Sequence, residues 1–237
     1  MTLLITLLFG MTIFIGTLII LITKDNKKIA ELSISIAFSV LLLLIFLEVI
    51  PHTLEHLDYF SMIFYGLIGF ALLKLLDLFI PEHEHSHKKD HVFHIGIMAS
   101  VALVIHNIIE GMVLYSTLQS NLNLGILLGI GIGLHNIPMG MVISSSLEIA
   151  NYSKSKILLT SFIVSLATFV GALIINLVGG VSEYIIGVMF ALTLGMLIYI
   201  VFFELYRHLK YQNKNNNITG FIIGAIIICI SLIFHNH

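Results

Sequence analysis

Eight apolar runs, each long enough to cross a bilayer, divide this sequence, with only short polar breaks between them. They cover 3–23, 30–50, 58–80, 94–118, 123–149, 156–179, 183–207 and 218–235. A helix needs roughly 20 apolar residues to span a hydrocarbon core of about 30 Å. Backbone polar groups in that core must be satisfied within the segment, which favours the helix. Charged residues make up 10% of the 237, against about 25% in soluble domains. That is too few to cover a water-facing surface, and the mean hydropathy is +1.07. The fold expected is therefore all-α: one polytopic transmembrane domain over residues 1–237, multi-pass in a lipid bilayer, and in the cell membrane for a bacterial source. The N-terminus has no basic segment and no small-residue cleavage pattern, so 3–23 reads as a retained span. The longest runs, 123–149 and 183–207, read as tilted.

Basic residues give an orientation. Lys24, Lys27 and Lys28 fall after the first run, Lys88 and Lys89 after the third, and Lys154 and Lys156 after the fifth. Arg207, Lys210 and Lys214 fall at or after the seventh. Only Lys74 lies inside a run, close enough to its end to snorkel. The positive-inside rule then puts these four connections in the cytoplasm and both termini outside. The formal net charge of −2 marks no charged partner, and no nucleic acid is expected. A homodimer is carried as an expectation with no residue in the sequence to argue it.

Ionisable groups inside spans are costly and point to function by default. The fourth and fifth runs carry them in matching form: His106-Asn107-Ile108-Ile109-Glu110-Gly111 and His135-Asn136-Ile137-Pro138-Met139-Gly140. His106 and Glu110 stand at i and i+4 on one helix face, as do His135 and Met139. Each His lies twelve residues into its run (94 to 106, 123 to 135), about 18 Å along a helix and so near the bilayer midplane. The short link between the runs makes them antiparallel neighbours whose polar faces can meet. Two imidazoles and a carboxylate form a borderline-soft donor set that suits Zn²⁺ and also takes Fe²⁺, Mn²⁺, Co²⁺, Ni²⁺ or Cd²⁺. A lone midplane His is more often a hydrogen-bonded packing residue, and a Met at helical spacing is usually core. Two His at matched depth, a Glu one turn away, the repeated His-Asn and the proline favour metal for His106, Glu110 and His135. Asn107 and Asn136 add amide oxygens. Met139 is the weaker candidate, since a thioether is a poor ligand for hard cations. Pro138 removes the amide hydrogen that would bond the carbonyl of Leu134, and a bend is expected there.

Three further groups are candidates for entrance or exit. Glu48 and His52, with Glu55 and His56, cluster at the outer end of the second run, which Pro51 is expected to close. Glu204 lies near the inner end of the seventh. The cytosolic loop 81–93 alternates His83, His85 and His87 with polar residues, a loose metal-binding composition without fixed geometry. Gly125, Gly129 and Gly133 form two GxxxG steps in the fifth run, read as tight helix packing.

In these motifs the chain resembles the ZIP (zinc/iron-regulated transporter-like) family of metal transporters over almost its whole length. The two His-Asn motifs look like that family's fourth- and fifth-helix motifs. Phe46-Leu47-Glu48-Val49-Ile50-Pro51 is similar to its second helix, Gly69-Phe70 through Asp77 to its third, and Gly195-Met196 through Tyr199 to Glu204-Leu205 to its seventh. The resemblance implies eight spans, both termini outside, inverted three-helix repeats around spans 4 and 5, and a unit of spans 1, 4, 5 and 6 that moves against the rest. The sequence departs from the family pattern at three places: Met139 where Glu is frequent, Thr168-Phe169 where Glu-Pro is frequent, and Ile109 where Pro is usual. Carboxylates at the first two help hold a second metal in binuclear members. One principal metal is therefore expected at His106, Glu110 and His135, with Met139 or water completing it and a weak or absent second site at Asn107 and Asn136.

The function expected is transport of a divalent transition metal, zinc first, into the cytoplasm, and not catalysis. A non-transporting metal sensor is the alternative. An intramembrane metallohydrolase ranks lower, because no HExxH lies within an apolar run and the one candidate base there is needed as a ligand.

Overall fold

A computed structural model describes residues 1–23, 27–79, 87–210 and 212–235. Among them, eight helices are long and apolar enough to cross a membrane: α1 Thr2–Thr23, α2 Glu31–His56, α3 Tyr59–Leu78, α4 Gly96–Ser120, α5 Leu122–Ile149, α6 Lys154–Val178, α7 Glu183–Leu209 and α8 Lys214–Ile233. Several ends are set by local chemistry. Asp58 precedes α3 and accepts from the Ser61 N–H at 3.0 Å and the Ser61 hydroxyl at 2.9 Å. Those bonds hold its carboxyl below the usual carboxylate range. Asn121 caps α5 by accepting from the N–H groups of Asn123 and Leu124. Gly179 ends α6 with φ 78°, a left-handed turn that a residue without Cβ adopts freely.

The structure corrects three details. Pro51 does not close α2. The helix passes through a π-helical turn at Ile45–Val49, and Pro51 falls in the first turn of the following segment Ile50–His56. There its missing N–H is not needed. The helix that contains α4 begins at His87, so the last part of the expected loop 81–93 is helical. His83 and His85 lie outside the described residues. Helix α1 is interrupted at Met11, between Thr2–Gly10 and Thr12–Thr23, where the Thr12 hydroxyl donates to the Phe9 carbonyl at 2.6 Å. A back-bonded hydroxyl bends a helix in this way. Helix α5 runs on through Pro138 without a break.

Helix pairing follows a pattern. Helices α1 and α5 pack closely, as do α4 and α6, while α3 packs on α7 and α2 on α8. Exchanging α1 with α6, α2 with α7, α3 with α8 and α4 with α5 maps this set of pairs onto itself. The π-helical turns obey the same exchange, one in α2 and the other in α7 at Ile200–Leu205. So do four glycines at close backbone contacts of α1, α4, α5 and α6. A Cβ on Gly111 of α4 would strike the Thr168 carbonyl of α6, and one on Gly171 of α6 would strike the Ile108 carbonyl of α4. Gly140 of α5 and Gly16 of α1 meet the carbonyls of Ile13 and Ile137 in the same way. Small residues let membrane helices touch backbone to backbone, which strengthens dispersion where no hydrophobic driving force operates between helices. The GxxxG run has a related use: Gly129 receives the ring of Phe9 from α1, Gly133 faces Thr12 of the same helix, and Gly125 faces Leu118 of α4.

Candidate metal centre

The α4–α5 hairpin turns at Asn121 and brings the two His-Asn motifs together. His106, Glu110 and His135 are 1%, 4% and 0% exposed. Glu110 Oε1 lies 3.1 Å from His106 Nε2 and 2.7 Å from His135 Nε2, so a single carboxylate oxygen stands beside both imidazoles and is hydrogen-bonded to that of His135. The ring centroids stand 6.3 Å apart. One ligand atom from each residue falls within 4.8 Å of the other two, the only such triad of His, Cys, Asp or Glu among the described residues. Leaving a carboxylate unpaired in this interior would be expensive, and the two imidazoles offset that. Glu110 Oε2 and both ring nitrogens of His106 have no hydrogen-bond partner. Two nitrogens and one oxygen at this spacing, with a buried oxygen to spare, match a borderline divalent ion with an open coordination position.

The other expected residues divide. Asn107 is buried, and its amide donates to the Val164 carbonyl of α6 at 3.4 Å. Neither side-chain polar atom of the buried Asn136 has a hydrogen-bond partner, nor has the hydroxyl of buried Thr168. Met139 is fully buried in the apolar core, one turn from His135. Glu48 and Glu204 are each 6% exposed and each sits in a π-helical turn, a distortion frequent at functional sites. Glu48 is near enough for its charge to act on His135. His52 accompanies Glu55 at 3.0 Å and stacks on Phe190. His87 opens the helix that becomes α4.

Two contacts had no motif to announce them. His56 Nδ1 meets Glu183 Oε2 at 2.7 Å, tying the end of α2 to the start of α7. This pair fixes the two helices as antiparallel, so Glu48 and Glu204 lie toward opposite faces of the bundle. Ser231 of α8 reaches the far side of the His135 ring. Its signal was a hydroxyl in the middle of an apolar run, which is easily taken for a small packing residue.

Eight membrane-length helices around a buried His/Glu triad define a polytopic membrane protein whose core holds a group able to bind a metal ion. A sequence profile for the ZIP zinc transporters matches residues 80–232. Zinc transporter ZupT of Chlorobium luteolum is 34% identical over 98% of this chain and 96% of its own length. The proteins of the same name from Streptococcus mutans and Escherichia coli are 30% and 29% identical, over 96% and 98% of this chain and 95% of each relative. The chain belongs to the ZIP family, a family of transporters and not of enzymes.

Proposed function

We propose that the protein carries divalent transition-metal ions across the membrane into the cytoplasm, with zinc as its principal substrate. The observation that carries this reading is one buried carboxylate oxygen shared by two imidazoles from facing helices. Such a site replaces a cation's hydration shell deep within a span and can open to one face at a time. His106, Glu110 and His135 hold one principal ion, and Met139 or water completes its shell. Asn107 and Asn136 supply neutral oxygens, too weak for a second ion on their own. Glu48 and His52 receive ions at one face. Glu204 releases them toward the other, where the segment bearing His83, His85 and His87 collects them. Both termini face outward. The relatives' names support zinc, and the donor set also admits iron, manganese, cobalt and cadmium.

Uptake of zinc into proteoliposomes, measured against those four ions in competition, tests the reading. Binding without flux would leave a sensor and remove the transporter. Imidazole and carboxylate ligands bind protons as well as metal, so uptake falls as the medium is acidified. Labelling of single cysteines placed at each terminus tests the orientation. The homodimer expectation is met by a detergent-corrected mass of twice 26.4 kDa and removed by a monomer.

A further inference from the structure

The ring of His135 has a neighbour outside both motifs. Ser231 is buried in α8, the last helix of the chain. Its hydroxyl donates to the Gly131 carbonyl at 2.7 Å. The same oxygen lies 3.4 Å from His135 Nδ1. The directions follow from the partners. A carbonyl only accepts, so the serine hydrogen points at Gly131 and a lone pair faces the imidazole. Nδ1 of His135 then carries the N–H, and Nε2 is the nitrogen presented to Glu110, where a proton or a metal can lie between them. Gly131 keeps this geometry open. A Cβ there would come within 3.0 Å of the Ser231 carbonyl and 3.4 Å of its hydroxyl oxygen, close enough that Ser231 must give by a few tenths of an ångström.

We propose that Ser231 is a positioning residue for metal binding, holding the His135 ring through Nδ1 so that Nε2 faces the ion. This rests on His135 being a ligand. The hydroxyl comes from a helix that supplies no ligand, so the orientation of the site depends on the α5–α8 contact. Outer partners of metal-bound imidazoles fix ring orientation and the donor nitrogen, and losing one typically weakens binding by about 10- to 100-fold. Here the bond to Nδ1 is long, which places the expected loss at the lower end.

The test uses the full chain, reading zinc-uptake KM and kcat in proteoliposomes and the visible absorption of Co²⁺ bound in detergent. Ser231→Ala is expected to raise KM about tenfold, leave kcat near wild type and change the Co²⁺ spectrum. Ser231→Thr keeps the hydroxyl and is expected to preserve both. Gly131→Ala leaves the serine in place but displaces it, and is expected to raise KM in the same sense. A wild-type KM and spectrum in Ser231→Ala, while His135→Ala loses the spectrum, would overturn the positioning role alone. Equal losses in Ser231→Ala and Ser231→Thr would also overturn it, because the hydroxyl would then be irrelevant. A Co²⁺ spectrum unchanged in His135→Ala would overturn the ligand assignment itself, and the positioning role with it.

Discussion

The motifs of α4 and α5 begin alike and end alike, yet the structure uses only part of the likeness twice. Gly111 and Gly140 do the same work, each admitting a backbone carbonyl of a partner helix, Thr168 for one and Ile13 for the other. The histidines also match, each turning Nε2 to the same Glu110 oxygen. The fourth residue after each His does not match. Glu110 bridges both imidazoles, while Met139 packs into the apolar core. The asparagines differ too, since Asn107 is tied to α6 and Asn136 has no hydrogen-bond partner. The duplicated part of the motif is thus the packing frame and the two imidazoles, and the charge is supplied once.

That asymmetry can be broken or sharpened by substitution. Glu110→Ala removes the one shared donor and leaves two imidazoles facing each other. Zinc uptake is expected to fall more than about 100-fold, beyond the range seen when only an outer partner of a ligand is lost. Residual uptake within tenfold of wild type would show that the bridging carboxylate is dispensable. Next in size are the glycines. Gly111→Ala and Gly140→Ala each drive a Cβ into backbone and are expected to destabilise by about 1–3 kcal/mol, as overpacking does. Thermal unfolding in detergent measures this, and a difference between the two would argue against equivalent frames. Met139→Glu adds a second carboxylate, and calorimetry is expected to find one more zinc ion bound than in wild type. An unchanged stoichiometry would show that Met139 is not what limits the site. Smallest are the asparagines. Asn107→Ala is expected to cost about 1 kcal/mol for its lost hydrogen bond and Asn136→Ala less, since it gives up none.

Much of this was legible in the chain. Scarcity of charge and the length of the apolar runs required membrane helices, and the i, i+4 spacing put His106 and Glu110 on one face. Equal depth along two runs joined by a tight turn brought His135 to them. The local rules were less dependable where a partner helix or a neighbouring turn intervened. Pro51 looked like a stop, but a π-helical turn before it left it in a position that tolerates the missing N–H. The GxxxG run read as packing, and its partners proved to be Phe9 and Thr12 of α1 and Leu118 of α4.

By itself the sequence determined the class of fold, the number of spans and the three residues of the triad, because hydrophobic length and helical period are local properties. Tertiary structure alone decided that both histidines meet the same carboxylate oxygen, that Met139 is buried among apolar side chains, and that Ser231 lies behind His135. Each of these depends on how helices rotate about their axes when they pack. That rotation is set by backbone contact at glycines on separate helices, such as Gly111 with Gly171 and Gly140 with Gly16.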